Sequence, residues 1–572
     1  MSAPETETGA GAAVSAPAVG HQPRTRHRFS RVLRYARGLD QVGVAIGLLF
    51  FVMSLTPSLL PRPWQLQGLV SGIAAAGGYG LGVAAAWAAQ RIGIPQPSAN
   101  ARRWAWRALG AVALIVVPII LWLSSSWQQD IRRAVGAPSG GRDLYLGVFA
   151  VAALVSTSLV GLGRLLRNLY RMFTTRLLRF FPLVLARLVA SALVIALVIG
   201  LASGVVYRGL LQLANAAYAS SDLHGDVPGT VRPTSPDRSG SPASAVSWQP
   251  LGKFGRSFVS GGPTPAQISK LTGRPAVEPI RVFAGLPSAQ TLQGEADVAL
   301  AELKRTNAFD RALLAVATAT GRGRVDPALA DPLEYMYGGN TAIAAIQYSH
   351  LPSWMSFLVD LSAAREAARD LFDTVYDYWS TLPAGHRPRL VVFGGSLGAY
   401  GADATFSSVA DITTRTSGAL FVGPPNRTQL WRELTAKRVN GSPERLPRYG
   451  DGQKVRFAAT ATDLVELDGS LSHPTVVYLQ HASDPIVWWS TKLIWREPDW
   501  LTETRGPDVV SQVRWYPFVT FWQITCDMIT ALGTPTGHGH RYGPEVATAW
   551  AAILRPPGWT ADNLHALTTL PR

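Results

Sequence analysis

Long apolar runs dominate the first third of the chain. They contain no Asp, Glu or Lys, and most of them approach the roughly 20 residues that a helix needs to cross the hydrocarbon layer of a membrane. A buried helix in a soluble protein rarely runs this long without charge, so the pattern predicts an α-helical transmembrane bundle of about five spans. The predicted spans are Val42–Leu60, Leu66–Ala89, Ala108–Trp122, Leu144–Leu162 and Leu188–Tyr207.

The pattern changes after residue 278. Short apolar, β-branched runs alternate there with longer amphipathic stretches, which is typical of a mainly parallel, doubly wound sheet covered by helices. The predicted strands are Ile280–Ala284, Leu313–Thr318, Ala342–Gln347, Leu390–Phe393, Ala419–Val422 and Thr475–Leu479. The predicted helices include Ala296–Arg305, Ser356–Thr381, Leu397–Val409, Val513–Leu532 and Pro544–Ile553.

Composition predicts the domain boundaries. Residues 1–40 are rich in Ala, Pro, Gly, Thr and Ser without periodicity and carry six Arg residues between positions 24 and 37, so we expect a disordered basic N-terminus. Residues 41–207 form the predicted transmembrane domain. Residues 208–278 are crowded with Ser, Pro, Gly and Asp and indicate a linker or loosely packed loop region. Residues 279–572 form the second domain. We expect no cleavable signal peptide, because the first long apolar run begins only near Val42.

The basic charge belongs to the apolar part of the chain. The net charge is +16, which would suit a nucleic-acid partner. Residues 1–206 hold 20 basic residues, all Arg, against five acidic residues, whereas residues 207–572 hold 33 basic and 32 acidic residues. Arg in the loops between apolar helices has a membrane explanation, so no nucleic-acid partner is expected.

The Arg residues also predict an orientation. Six precede the first span, four lie between the second and third, and six lie between the fourth and fifth. The alternate loops hold only Arg62 and the three residues Arg132, Arg133 and Arg142. Since Arg-rich loops stay in the cytoplasm, we expect a multi-pass protein of the cell membrane with a cytoplasmic N-terminus. An odd number of spans then places everything after about residue 207 outside the cytoplasm.

Two observations limit the chemistry. Cys526 is the chain's single cysteine, which excludes an intrachain disulfide and a multi-Cys metal site. We expect it to be a small buried apolar residue and not a nucleophile. No metal and no cofactor is predicted. The predicted spans carry no ionisable residue near their centres, which disfavours a transporter.

The sharpest local signal is Gly394-Gly395-Ser396-Leu397-Gly398. It directly follows a predicted strand and opens a predicted helix. A nucleophilic serine occupies such a strained strand-to-helix turn, where glycines prevent collisions with the neighbouring strand and helix. A Gly-rich chain also produces this pentapeptide by chance, but the strand–turn–helix context favours Ser396 as a nucleophile.

A nucleophilic hydroxyl needs a base, and the base needs an acid to orient it. With this type of turn the acid and then the His follow the Ser along the chain. Asp484 follows the last predicted strand and is our candidate acid, although an Asp before Pro is also a common turn residue. The weaker rivals are Asp463, Asp468 and Asp508.

Two histidines are candidates for the base. His540 is the first choice and His538 the second, because both lie on a Gly-flanked loop near the C-terminus that can reach a site formed elsewhere. A His pair two residues apart also suits a metal, but no third ligand with suitable spacing accompanies it. The sequence does not separate the two histidines.

The developing oxyanion needs two backbone donors. We expect one from Leu397 and the other from the loop after an early strand. The best candidate loop is Gly285-Leu286-Pro287-Ser288 after the first predicted strand. Since proline has no N–H, the second donor there is Leu286 or Ser288.

These motifs resemble the actinobacterial family of membrane-anchored α/β-hydrolases, and residues 40–206 look like its own N-terminal membrane domain. The elbow of that family usually reads Gly-Glu-Ser-Leu-Gly, so Gly395 departs from it while Ser396 is retained. The resemblance implies an α/β-hydrolase fold and a serine hydrolase, without a settled substrate. The matching stretches are 280–286, 347–354, the Ser396 elbow, 423–425, 479–489 and 537–542.

Together these features predict a membrane-anchored, esterase-like serine hydrolase. A domain outside the membrane would meet envelope lipids, so the expected partners are membrane lipids and a lipophilic ester substrate. One alternative is an extracytoplasmic acyltransferase on envelope lipids, which would share the triad. The other is a non-catalytic membrane receptor or scaffold with a hydrolase-like fold.

Overall fold

A computed structural model describes residues 38–139, 145–203, 205–359, 361–465 and 472–570. Most of the predicted disordered N-terminus therefore lies outside the described residues, and so does Asp468. The N-terminal part is helical. Its helices are α1 (Gln41–Ser54), α2 (Trp64–Arg91), α3 (Ala99–Ala134), α4 (Tyr145–Leu177), α5 (Leu183–Ser203) and α6 (Val205–His224).

Four of these helices, α2 to α5, are long and apolar enough to cross a membrane. At most a third of the most apolar window of each is buried inside the protein. Leu114 and Leu146, for example, are 78% and 83% exposed. A soluble protein rarely exposes so large a continuous apolar surface, so this part of the chain is suited to a membrane.

The first predicted span is shorter than expected. Helix α1 has 14 residues, about 21 Å, and stops at Ser54, whereas the apolar run continues to Leu60. Pro57, Pro61 and Pro63 follow, and proline cannot donate the N–H that a helix interior requires. Residues 55–63 instead form a buried connection that packs against the second domain.

Glycines join α1 to α2. A Cβ atom added at Gly82 would lie 2.6 Å from the carbonyl oxygen of Val42, and one at Gly78 would lie 2.7 Å from that of Ile46. Only glycine permits so close an approach of two helix backbones. Gly78 and Gly82 therefore let α2 pack closely against α1.

The second domain contains a seven-stranded sheet in which every pairing is parallel. Its order is β1-β3-β2-β4-β5-β7-β6, with β4 and β5 near the centre. The strands are β1 (Ile280–Ala284), β2 (Leu313–Thr318), β3 (Thr341–Ile346), β4 (Arg389–Gly395), β5 (Gly418–Val422), β6 (Val455–Ala458) and β7 (Val476–Leu479). All six predicted strands are present.

Helices cover both faces of this sheet. Alternate residues of each strand enter two different hydrophobic clusters, as with Leu390 and Val392 on one face and Val391 and Phe393 on the other. The predicted doubly wound fold is confirmed. The helices are α7 (Gly252–Ser260), α8 (Pro265–Thr272), α9 (Leu292–Arg305), α10 (Pro327–Met336), α11 (Ser353–Val359), α12 (Ser362–Thr381), α13 (Leu397–Asp403), α14 (Val409–Arg415), α15 (Gln429–Ala436), α16 (Pro485–Trp488), α17 (Asp499–Thr502), α18 (Val519–Thr530), α19 (Pro544–Leu554) and α20 (Ala561–Thr568).

Several predicted boundaries were wrong for local reasons. The helix predicted from Leu397 to Val409 ends already at Asp403, and a separate helix, α14, begins at Val409, where the Ser408 hydroxyl accepts a hydrogen bond from the Asp411 backbone N–H. Helix α18 begins after Pro517, six residues later than predicted, since the residue before a proline avoids helical geometry. The long helix expected before β4 is divided into α11 and α12.

The segment predicted as a linker has structure of its own. Helix α6 continues to His224, and helices α7 and α8 lie within residues 208–278. Ser239, Leu251 and Val259 are fully buried against the second domain. The domain boundaries themselves stay a prediction.

Candidate active site

Ser396 occupies a strained turn between β4 and α13. Its backbone has φ 55° and ψ −123°, a left-handed conformation that costs a non-glycine residue of the order of 1–3 kcal/mol. The Ser396 N–H donates to the carbonyl oxygen of Val422 at 2.7 Å, which ties the turn to the end of β5. Because Ser396 directly follows β4, it lies at the carboxyl edge of the sheet, and it is only partly buried.

Two of the neighbouring glycines are sterically required. A Cβ at Gly394 would lie 2.4 Å from the carbonyl carbon of Gly398, and one at Gly398 would lie 2.2 Å from the carbonyl oxygen of Thr318. A Cβ at Gly395 would find its nearest neighbour, Cδ2 of Leu329, at 3.3 Å. The turn thus accepts a side chain at Gly395, where the resembling family usually carries Glu, only with a small shift of Leu329, and accepts none at the other two positions.

His540 and Asp484 form a tight buried pair. Nδ1 of His540 lies 2.6 Å from Oδ2 of Asp484, and the two side chains are 7% and 0% exposed. The Tyr542 hydroxyl donates to the same oxygen at 2.8 Å, while the N–H of Ile486 donates to Oδ1 at 2.9 Å. The carboxylate is therefore held from both sides, which fixes the orientation of the imidazole.

The end of β5 brings this pair to Ser396. Val422 accepts the Ser396 N–H, and the next residue, Gly423, has φ 56° and no side chain. A Cβ at Gly423 would lie 2.6 Å from Cε1 of His540. The serine and the imidazole thus contact two consecutive residues of one chain segment. β5 lies between β4, which carries Ser396, and β7, which leads to Asp484.

Comparison with known families agrees with this fold. Residues 280–567 match the model of the alpha/beta-hydrolase family, and residues 55–263 match the model of that family's N-terminus. The chain belongs to this alpha/beta-hydrolase family. No curated protein and no solved structure matches it.

His538 lies apart from the pair of His540 and Asp484. Its Nδ1 is 3.7 Å from Asp508, whose carboxylate also accepts the backbone N–H and the hydroxyl of Ser483. Burial alone would raise the pKa of Asp508, but the nearby His538 imidazole and the hydrogen bonds from Ser483 lower it overall. Asp508 therefore lies beside His538, whereas Asp484 is the carboxylate that contacts His540.

The other rival groups have structural partners too. The Asp463 carboxylate accepts the N–H groups of Ala459 and Thr460, so it caps a short turn. Burial raises the pKa of the Cys526 thiol to about 11, which leaves it protonated and unreactive at neutral pH.

His481 is a site residue that the sequence analysis missed. Its ring stacks on Tyr542 with centroids 4.1 Å apart and bonds the Gly539 carbonyl oxygen at 2.9 Å. Burial lowers its pKa, but the nearby Glu545 carboxylate and the other acceptors raise it overall. His481 thereby fixes Tyr542 and the His540 loop. Its position three residues before Asp484 was the only available signal.

The predicted oxyanion loop is in the wrong place. β1 is an edge strand, and β3 and β2 separate it from β4, so Leu286 and Ser288 lie about 14 Å to the side of the elbow. The Ser288 N–H is already donated to Gly285. The loop next to Ser396 is instead the one after β2, since a Cβ at Gly398 would lie 3.2 Å from the Ala319 carbonyl oxygen. Leu397, the other predicted donor, begins α13, where backbone N–H groups have no intrahelical partner.

Helix α6 reaches this same loop from the N-terminal part. The Asp222 side chain is fully buried and accepts hydrogen bonds from Arg322, which follows β2. It also lies 3.0 Å from Nδ1 of His350, which follows β3. The Arg322 guanidinium also lies over the rings of Tyr218 and Phe254. The last N-terminal helix thus fixes the loop after β2, which lies beside the elbow, and the loop after β3, which lies one strand further away.

Proposed function

We propose that this alpha/beta-hydrolase is a membrane-anchored serine hydrolase acting on a lipophilic ester through Ser396, His540 and Asp484. The observation that carries the proposal is the 2.6 Å contact between His540 and Asp484 beside a serine held at positive φ. His540 would take the proton of the Ser396 hydroxyl as it attacks the ester carbonyl. The same imidazole would then protonate the leaving alcohol, and water would release the acyl group.

The oxyanion of the tetrahedral intermediate would be bound by Leu397 and by the loop after β2. The Leu397 N–H is the first of α13, and the loop at Ala319 lies against the same helix. Such donors, fixed before the reaction, are the usual source of oxyanion stabilisation. We place no oxyanion role on Leu286 or Ser288.

A lipophilic, envelope-associated ester is proposed because the site adjoins the apolar helices. The N–H of His540 donates to Ala531, directly after α18, and α18 packs along α1 and α2. A Cβ at Gly136, beyond the end of α3, would lie 3.7 Å from Nε2 of His538. A substrate whose acyl chain lies in a bilayer would thus have a short path to Ser396.

We further propose that the hydrolase domain lies outside the cytoplasm. The connections at residues 55–63 and after α3 pack on the hydrolase domain, as Leu59, Leu60 and Val135 enter its core. The loops at the opposite ends of the helices carry most of the Arg residues. At these Arg-rich ends, Arg164 donates a hydrogen bond to the Gly38 carbonyl oxygen. The short helix α1, extended by residues 38–40, therefore reaches the Arg-rich ends of the other helices. Five crossings with the Arg-rich ends inside would give this orientation. The actinobacterial origin stays a prediction.

A fluorophosphonate probe tests the catalytic proposal. We expect the purified protein in detergent to be labelled, and Ser396→Ala to abolish the labelling while leaving the melting temperature unchanged. A well-folded wild-type protein that resists the probe, or a Ser396→Ala variant that is still labelled, would overturn the assignment.

Cysteine labelling tests the orientation. Cys526→Ser removes the chain's single cysteine, which is buried, and so gives a suitable background for single cysteines at exposed positions. Lys270→Cys in α8 should react with an impermeant maleimide on intact cells. Gln96→Cys, at an exposed position between α2 and α3, should react only after permeabilisation. The reverse pattern would place the hydrolase domain in the cytoplasm.

A further inference from the structure

A cavity of about 730 Å³ lies on the hydrolase domain, apart from the candidate triad. It opens between α15, α16 and residues 490–500, and neither Ser396, Asp484 nor His540 contributes to its lining. Its inner wall contains the buried tryptophans Trp431, Trp488 and Trp500. The cavity is therefore a second concave site.

Basic side chains surround this cavity. Five of them are exposed and have no ion pair within the described part of the chain, although Arg365 and Arg427 also lie over aromatic rings. Their positive charge is therefore available to an anion. The five are Arg365, Arg427, Arg432, Lys492 and Arg496. The sixth base, Arg438, is already paired with Asp499 at 2.9 Å and Glu503 at 2.8 Å.

The acidic residues of the lining do not balance these bases. Glu433 lies 3.9 Å from Lys437, and Asp499 is held by Arg438. Glu444 accepts the Trp500 N–H, and burial raises its pKa to about 7, so part of it is uncharged at neutral pH. Glu497 is the remaining carboxylate. The cavity thus presents a surplus of positive charge.

A buried hydroxyl also lacks a partner at this site. Thr435 lines the cavity and is 4% exposed, yet its Oγ1 has no hydrogen-bond partner among the residues that the structure describes. A buried polar atom is costly without a partner, so the cavity suits a ligand with hydrogen-bonding oxygens.

One wall of the cavity adjoins the apolar helices. The carbonyl oxygens of Leu493 and Ile494 accept hydrogen bonds from Trp515 and Phe518 at 2.9 and 2.8 Å. The Phe518 ring lies 6.3 Å from that of Phe50 in α1, and a Cβ at Gly77 in α2 would lie 2.3 Å from it. The bases Lys492 and Arg496 are therefore next to a segment that packs on the membrane-suited helices.

The chain segment that forms this wall also carries features of a membrane interface, although Trp495 itself does not line the cavity. Trp495 lies between Lys492 and Arg496 and is 65% exposed. Tryptophan is enriched where membranes meet water, and neighbouring Lys and Arg attract anionic headgroups. Lys492 and Arg496 would then lie at the level of the lipid phosphates.

We propose that this cavity binds the phosphate-bearing headgroup of an anionic phospholipid from the adjoining leaflet. The unpaired Arg and Lys groups would bind the phosphate, Thr435 would donate to it, and the tryptophans would contact the glycerol and the first part of the acyl chains. The inference rests on the proposed membrane anchoring and is independent of the triad.

Calorimetric titration in a neutral detergent tests this site on the full-length protein. The probes are dihexanoyl phosphatidylglycerol and the zwitterionic dihexanoyl phosphatidylcholine, with glycerol 3-phosphate and inorganic phosphate as soluble anions. The test variant is Arg432→Gln/Lys492→Gln/Arg496→Gln. The control, Lys270→Gln/Arg448→Gln/Lys454→Gln, removes the same charge from exposed positions outside the cavity.

We expect the anionic lipid to bind at least about tenfold more tightly than the zwitterionic one, and added salt to weaken it. The cavity variant should remove this preference, and the control should keep it. Ser396→Ala should bind like the wild type, which separates this result from the fate of the proposed catalysis. Equal binding of both lipids, equal losses in the two triple variants, or soluble phosphate binding as tightly as the lipid would overturn the proposal.

Discussion

Arg62 and Asp527 form an ion pair in which neither side chain has any exposed surface. Nε of Arg62 lies 3.1 Å from Oδ1 of Asp527, and Oδ2 accepts the N–H groups of Leu59 and Leu60. Arg62 precedes α2, whereas Asp527 belongs to α18, which leads to the His540 loop. One carboxylate therefore joins the connection between two apolar helices to the hydrolase domain.

Removal of one partner should destabilise the protein strongly. Asp527→Ala would leave a buried guanidinium uncompensated and two N–H groups unpaired, so we expect the free energy of unfolding to fall by about 3–5 kcal/mol. Denaturant unfolding in detergent measures the change. Asp130→Ala is the control, because its partner Arg133 is exposed and the pair should contribute less than about 1 kcal/mol. Equal losses would contradict the coupling.

The sheet was predictable because most of its strands are buried on both faces. Strands such as β2 and β4 are continuous apolar runs, and a run of that kind signals a central parallel strand. β6 was missed because it has four residues, lies at the edge of the sheet and contains Arg456. The length of the first span was mispredicted because its last residues, Leu59 and Leu60, pack in the core of the hydrolase domain and do not continue the helix.

The site was predictable only where neighbours along the chain define it. Ser396 follows from its turn, and Asp484 follows from the end of a strand. The order of strands in the sheet is a long-range property, so the sequence could not tell that β2 and not β1 lies beside β4. His538 and His540 look alike in sequence, and only the folded loop pairs His540 with Asp484.

The two histidines should differ sharply when each is replaced. His540→Gln removes the imidazole that contacts Asp484, so we expect the rate of fluorophosphonate labelling to fall by at least about 10³. His538→Gln should change the rate by less than about threefold, because its imidazole faces Asp508. Labelling rates of the two variants, with melting temperatures as the control, decide the matter. A larger loss in His538→Gln would reverse the assignment.

The glycines of the elbow offer a second paired test. Gly398→Ala places a methyl group 2.2 Å from the Thr318 carbonyl oxygen, and relieving this clash requires a shift of the backbone. We expect a loss of at least about 2 kcal/mol in the free energy of unfolding, with loss of labelling. Gly395→Ala meets only the end of Leu329 at 3.3 Å and should keep both properties. Thermal unfolding and probe labelling of the two variants measure these effects. A larger loss of stability or labelling in Gly395→Ala than in Gly398→Ala would contradict this account.

Glu295 and Glu302 on α9 should respond to pH in opposite ways. Both are buried, but Oε2 of Glu295 has no hydrogen-bond partner among the described residues, whereas Glu302 is paired with Arg305 and accepts bonds from Ser244 and Ala245. Burial raises the pKa of Glu295 from 4.5 to about 9. Burial also acts to raise the pKa of Glu302, but these partners lower it overall.

A raised folded pKa favours the protonated form, so the contribution of Glu295 is full below about pH 4.5 and is lost as the pH rises towards 9. Glu295→Gln should therefore melt at least about 2 °C above the wild type at pH 8.5 and at the same temperature near pH 4.5. A lowered pKa gives the opposite sign: Glu302 stabilises the fold above its ordinary pKa and loses this effect as the pH falls through the lower folded value. Glu302→Gln should accordingly melt below the wild type at pH 8.5, with the difference shrinking in acid. Melting curves from pH 4.5 to 8.5 that move both variants in the same direction would contradict the assigned environments.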